Sequence, residues 1–303
     1  MKNALIILSA FILFSCNSDD DDDDDDVDST TNPTVSSLTI NSFKETIDRP
    51  AIDGYESYKE ITAGDIVQNK FMNYTVETYF DDELKEDNQY NYFIYQNEKT
   101  TEFYPISEKT QGTTQQLFYD NNSKLSGIYW EKINRYYRII HNGNNIDYFE
   151  RLTGSLENPN TEVIIRHILK FDNNDNVIKA GIDQDLDGVM DFENKFIYDE
   201  SNNLTTIEMA NGTTVNISYS SIKNTKSFVL DNSFGKRVRR LFCSEVYGSS
   251  MTEAIENLEH STHLTNKDLS SAISIETNQA NFYTKYQREG YENATHTIEF
   301  FFE

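Results

Sequence analysis

The 303-residue sequence has only two cysteines, four prolines and one tryptophan. Its one pronounced apolar stretch, Ala4 to Phe14, is broken by Ser9 and falls short of the ~20 residues a membrane-spanning helix needs. Positive charge is scarce as well: 26 Lys and Arg stand against 51 Asp and Glu, a formal net charge of −25. Each scarcity excludes something. Two cysteines cannot build a disulfide framework. A chain this acidic lacks the clustered Lys and Arg that phosphate contacts require, which argues against nucleic-acid binding. Few prolines beside 19 Tyr and 19 Phe favour strands over disorder. Also missing are a nucleotide-binding glycine loop, a GxSxG elbow and an HExxH helix.

What is present begins with an address. Lys2, the short apolar stretch and Ser15 make up a secretory signal over residues 1–15. Leu13-Phe14-Ser15-Cys16 resembles the lipobox of bacterial lipoproteins, in which the cysteine becomes the first mature residue and carries acyl chains such as palmitate. The resemblance implies lipidation of Cys16 and anchoring to a membrane at roughly 0.8 kcal/mol per buried methylene. Cys243 then has no intrachain partner, and reads as a small buried hydrophobe. Asn17-Ser18 and the eight residues Asp19 to Asp26 resemble the export signal of Bacteroidetes surface lipoproteins. That resemblance implies an outer-membrane lipoprotein exposed at the cell surface; charge alone describes a self-repelling spacer. Residues 16–36 read as a disordered acidic tether. Within it, Asp28-Ser29-Thr30 resembles the O-glycosylation motif of exported Bacteroidetes proteins, which would place a glycan on Ser29.

Residues 37–303 read as a single β-rich domain, long enough to bury a core without disulfides. The first 28 residues hold nine acids and one lysine, so the remainder carries 42 acids against 25 bases. Short alternating runs such as Tyr74 to Tyr79 and Tyr90 to Tyr95 predict strands. Asn142-Gly143 and Asn211-Gly212 each separate two such runs, and Asn-Gly suits the positive φ angles of tight hairpins. Ser250 and Glu253 form a capping box ahead of Met251, Ala254, Ile255 and Leu258, which predicts one short helix near 251–259. Ala272 to Ile275 and Thr297 to Phe302 return the chain to strand. The basic cluster Lys236-Arg237-Val238-Arg239-Arg240 reads as a strand with exposed charges.

Three segments share a pattern. They are Phe118 to Leu125, Lys170 to Val177 and Ile197 to Leu204: an aromatic, an Asp, a polar turn, then an aliphatic opening the next strand. The Asp can accept from turn amides, and Asn tolerates the left-handed conformation. The pattern resembles the YD (RHS-like) repeat and, more closely, repeat-bearing Bacteroidetes lipoproteins of unknown function whose domain is described as porin-like. The similarity covers roughly residues 70–303 and includes Tyr286 to Tyr291 as a degenerate unit lacking the Asp. It implies a mainly β fold, an antiparallel meander forming a barrel-like or large curved sheet, and carries no catalytic residues. Pervasive charge and the lipid anchor argue against a membrane pore.

The sharpest chemical motif is Asp183-Gln184-Asp185-Leu186-Asp187-Gly188-Val189-Met190-Asp191. Asp183, Asp185, Asp187 and Asp191 supply oxygens at positions 1, 3, 5 and 9 of a calcium loop, with the Val189 carbonyl at 7 and Gly188 at the sharp turn. Strand-like flanks and Asn194 where a Glu belongs set it apart from an EF-hand, which leaves two readings: a turn stiffened by a structural Ca2+, or an acidic hairpin turn that only links two repeat units. His260 and His263 have a two-ligand spacing, with Glu256 one helical turn before His260, but with no third ligand near in sequence they read as a polar helix end. His141, His167 and His296 decorate strands, and acid pairs such as Glu83–Glu86 or Asp199–Glu200 are expected by chance in so acidic a chain. Three function classes follow. The first is a non-enzymatic surface module binding a glycan, a peptide or an envelope protein on an exposed Tyr and Trp130 face. The others are a calcium-stiffened structural protein and a surface hydrolase.

Overall fold

In the computed structural model of the chain, the described residues are 38–52, 55–90, 93–96, 99–103, 115–131, 134–143, 145–154, 159–242, 261–290 and 293–303. All belong to the second of two compact units, residues 34–303. Cys16, Ser29, Cys243, Glu256, His260 and the helix read near 251–259 lie outside them.

The chain opens with β1 (Ile40–Arg49), β2 (Tyr58–Val67), β3 (Lys70–Phe71), β4 (Tyr74–Phe80) and β5 (Glu83–Tyr90). Next come β6 (Phe93–Gln96), β7 (Lys99–Phe103), β8 (Gln115–Tyr119), β9 (Leu125–Trp130), β10 (Arg135–His141) and β11 (Ile146–Gly154). They are followed by β12 (Pro159–Phe171), β13 (Val177–Asp183), β14 (Phe192–Tyr198), β15 (Leu204–Glu208), β16 (Thr214–Asn216) and β17 (Tyr219–Lys223). Two helices, α1 (Thr225–Phe234) and α2 (Lys236–Phe242), precede β18 (His263–Thr265) and α3 (Asn266–Ser271). The chain closes with β19 (Ala272–Thr277), β20 (Tyr283–Glu289) and β21 (Thr295–Phe302).

The strands assort into two large antiparallel sheets and a small pair, β17–β18. An eleven-stranded sheet runs in unbroken sequence order from β6 to β16, the meander that the hairpin signals foretold. The eight-stranded sheet has the order β19-β20-β21-β1-β2-β4-β5, with β3 on β2, and so pairs the first strand with the last. Among the described residues neither sheet closes: β5 and β19 end one, β6 and β16 the other. Within the run Tyr90 to Tyr95, Tyr90 ends β5 of the first sheet and Phe93 opens β6 of the second.

Alternation decides which face is buried. Tyr74, Val76 and Thr78 of β4 and Tyr137 and Ile139 of β10 point into a core that takes side chains from both sheets. Helix α1 ties the sheets together. Its Ser233 hydroxyl accepts from the Phe71 amide at 3.0 Å, and its Ser233 carbonyl accepts from the Thr100 hydroxyl at 2.6 Å. Asn224 caps its start by accepting from the Ser227 amide, and Gly235 at φ 81° ends it.

The basic cluster 236–240 is a helix, not a strand. Arg239 and Arg240 are buried, and Arg239 donates to the Ser227 carbonyl at 2.9 Å and to Asp231 at 2.8 Å. Two consecutive buried residues, Arg239 and Arg240, suit a helix packed on α1 and not a half-buried strand, whose neighbours alternate between faces. Three helices thus occupy the described residues at positions where sequence periodicity placed none.

The repeat units are hairpins of one geometry. Asp120, Asp172 and Asp199 each accept from the amides two and four residues on, at 2.8–2.9 Å. Ser123, Asp175 and Asn202, three residues after each Asp, sit at φ 66°, 58° and 62°. Asn278, with Asn281 at φ 64°, builds the same turn from an Asn. The strand opening after each turn has its first carbonyl capped by the next strand pair: Leu125 by His141 at 2.8 Å, Val177 by Tyr198 at 3.0 Å and Leu204 by Tyr219 at 2.8 Å. At Asn211-Gly212 only Gly212 is left-handed (φ 84°), and the Asn211 side chain accepts from the Thr213 amide at 2.9 Å.

Candidate functional site

A charge ladder crosses four adjacent strands on the face of the eleven-stranded sheet opposite Tyr137 and Phe149. Register places Arg138 of β10 against Glu150 of β11, Glu150 against Arg166 of β12, and Arg166 against Asp183 of β13. Arg138 donates to Glu150 at 2.8 Å, Arg166 to Glu150 at 2.7 Å, and Arg166 to Asp183 Oδ2 at 3.0 Å. Both carboxylates are fully buried, while Arg166 keeps 16% of its side-chain surface and Arg138 37%. Signs alternate along the row until it reaches Asp183.

There the acidic loop begins and folds back over the sheet. The Leu186 carbonyl accepts from Arg166 at 3.1 Å, and the Arg166 guanidinium lies 5.1 Å from the Tyr148 ring centre. Gly188, at φ 88°, donates to Asp183 Oδ2 at 3.0 Å. Internal turns are closed by Asp185 accepting from Asp187 and Asp187 accepting from Val189, at 3.3 and 2.8 Å. One carboxylate oxygen from each of Asp183, Asp185 and Asp187 lies within 4.8 Å of the other two. Calcium–oxygen bonds of about 2.4 Å allow two ligands of one ion to stand up to about 4.8 Å apart, so this triad has the right span.

Asp183 Oδ1 is the informative atom. It is buried and has no hydrogen-bond partner. A buried anionic oxygen without a donor is costly, and a cation coordinated there removes the cost. The structure thus assembles three of the five residues expected as ligands. Asp191 instead spends its carboxylate on the Gln184 amide at 2.6 Å, and Val189 is 64% exposed. Sequence reasoning missed Arg166 and Glu150, which hold Asp183 from other strands; only the register of three strand pairs reveals them.

The remaining candidates resolve into structural roles. His263 lies against Asn203 and Thr262, and burial pushes its ring below the ordinary value. His296 is more than decoration: it contacts Glu45 through Nε2 and accepts from Arg288 at 3.3 Å through Nδ1. His167 is buried beside Phe149. Glu83 and Glu86 stand on edge strand β5, and Asp199 is a turn residue. Trp130 is half-buried edge-on to Tyr137 at 5.9 Å, and Tyr55 alone among the described tyrosines is strongly exposed, so the expected Tyr and Trp130 stacking face is not formed there.

A second site lies where two turns and α2 meet. A cavity of about 420 Å3 is floored by Leu125, Ile146, Val238 and Leu241 and rimmed by Lys124, His141 and Arg237. His141 Nδ1 contacts Asp147 at 2.7 Å while Nε2 contacts the Leu125 carbonyl at 2.8 Å. Both contacts are made as N–H donors only by the doubly protonated ring, so the pair of acceptors favours the imidazolium form. The Asp147 hydrogen bond raises its pKa against the opposing effect of burial. Burial would raise Asp147, but His141 and Arg237 outweigh it and hold the carboxyl low.

No family model matches the chain, and no curated protein matches it. Among solved structures it is similar to a porin-like protein from Bacteroides uniformis, at 12% identity over 87% of this chain and 96% of that chain, with a TM-score of 0.36.

Proposed function

We propose that the protein is a non-enzymatic, lipid-anchored envelope protein, displayed at the outer-membrane surface, whose 183–191 loop takes a calcium ion that stiffens the sheet. The observation that carries this reading is the unpartnered, buried Asp183 Oδ1 within an acidic triad of calcium-ligand span. An ion there supplies the next positive charge after Arg138, Glu150, Arg166 and Asp183, and continues the alternation. It also offsets repulsion among the carboxylates of one nine-residue loop. Lipidation at Cys16, a glycan on Ser29 and outward export by the aspartate run belong to the same proposal on the strength of the sequence. The non-enzymatic reading is supported by where the described titratable groups go: His141, His296, Glu150 and Asp268 are spent on internal partners.

Extracellular calcium modules bind at about 10⁻⁴–10⁻³ M, so about 10 mM calcium adds about 1.4–2.7 kcal/mol of stability. For a domain of this size that raises Tm by about 3–10 °C. Thermal unfolding of the full chain in calcium, in magnesium and in chelator tests it. The expected rise appears with calcium alone and disappears in Asp185→Asn with Asp187→Asn. Equal melting in calcium and chelator refutes the proposal.

A further inference from the structure

We propose that the cavity beneath Lys124 is a binding site for a small organic monocarboxylate with an apolar body. This goes beyond the calcium loop and stands independently of it.

The site is a gap in an otherwise closed row. Successive turns of the eleven-stranded sheet lie along one edge, and asparagines stitch them together. Asn145 reaches Asn173 at 3.5 Å, Asn174 and Asn176 reach Asn202 at 3.1 and 2.9 Å, and Asn203 accepts from Thr262 at 2.6 Å. Between the turn at Asp120–Lys124 and the turn at Asn142–Ile146, no asparagine contact joins the rims among the described residues, and the His141–Leu125 contact lies at their base. The space is instead the cavity, its volume of about 420 Å3 within the usual span of small-molecule sites.

Its lining selects the ligand. The floor is apolar, with Leu125 and Leu241 fully buried beneath it. The polar side holds three basic side chains, Lys124, His141 and Arg237, and one carboxylate, Asp147; Arg237 pairs with Asp147 and also with Asp175, which stands outside the lining. One positive charge is left over, in a body that is otherwise strongly acidic. That charge is Lys124, an exposed residue whose ammonium has no carboxylate partner among the described residues. A single leftover charge matches a monoanion better than a dianionic phosphate, and the hydrocarbon floor matches a ring or short chain carrying that carboxylate. His141 and Arg237 are held rigidly by Asp147 and present a preorganised positive wall.

Calorimetric titration of the full chain with phenylacetate, with neutral 2-phenylethanol and with inorganic phosphate separates charge from shape. Phenylacetate is expected to bind at about millimolar affinity or better, phosphate more weakly, and 2-phenylethanol not measurably. Lys124→Gln, a change at an exposed turn residue, is expected to weaken phenylacetate at least about tenfold. Binding is also expected to fall as pH rises and His141 loses its proton. The proposal is overturned if phenylacetate gives no heat up to about 10 mM, if Lys124→Gln binds it equally, or if phosphate binds as tightly.

Discussion

Replacing Glu150 with Gln removes the central negative charge of the sheet ladder while keeping its shape. Glu150 is fully buried and accepts from two guanidinium groups, at 2.8 Å from Arg138 and 2.7 Å from Arg166. Gln retains one carbonyl acceptor, but its amide N–H2 then faces one of the two guanidiniums. Removing one partner of a buried ion pair costs about 3–5 kcal/mol. Arg138, with 37% of its side chain exposed, regains water, whereas Arg166 at 16% regains little. The cost therefore falls at the lower end, about 3 kcal/mol, against a total stability of about 5–15 kcal/mol. Urea unfolding is the assay: the midpoint falls with an unchanged slope, since the surface exposed on unfolding is the same. Glu208→Gln is the control, because its 3.7 Å pair with Lys195 is half exposed and costs at most about 0.5 kcal/mol. Equal midpoints for the two variants would show that the ladder contributes no more than a surface pair.

Further outcomes are expected. In Gly181→Ala the new Cβ meets the Phe192 carbonyl oxygen at 2.1 Å, so β13 and β14 must part and stability drops by about 2 kcal/mol or more. Gly290→Ala, whose nearest neighbour is 3.4 Å away, melts nearly unchanged. Asn202→Ala forfeits two inter-turn hydrogen bonds and strains a φ of 62°, for about 2–3 kcal/mol in denaturant unfolding, whereas Asn202→Gly recovers about 1 kcal/mol of it. Acid and base act through different pairs. Burial would raise Glu45, but Lys226, His296 and Arg288 bring it from 4.5 to about 2. Its stabilisation is complete above about pH 4.5 and is lost as pH falls toward 2, so Glu45→Gln flattens that limb of a stability-against-pH curve. His141 has the opposite sign: its raised pKa stabilises fully below pH 6.5 and is lost as pH climbs through the folded value. A curve flat above pH 6.5 would contradict that pairing.

Much of the fold was legible because its signals are short in range. The Asp of each repeat and the left-handed residue three places later close their turn within five residues, and both Asn-Gly hairpins lie where those dipeptides stand. The Asn278 turn escaped notice because Asn replaces Asp there, although Asn accepts the same two amides. Helices were harder. Lys236 to Arg240 offers a single apolar residue and no helical period, and Arg239 is buried because Asp231 and the Ser227 carbonyl on α1 accept from it. Nor does anything within Tyr90 to Tyr95 reveal that two sheets part company there.

By itself the sequence determined the predominance of strands, the chemistry of the turns and the composition of the acidic loop. Tertiary structure alone decided what those parts meet. Asp183 and Arg166 are 17 positions apart, and Arg166 and Glu150 are 16 apart, so their pairing exists only once the register of β11, β12 and β13 is set. A slip of one residue would turn every one of these side chains to the opposite face. The cavity under Lys124 likewise needs α2 brought against two turns about a hundred residues earlier, a contact made by packing of the core rather than by any local pattern.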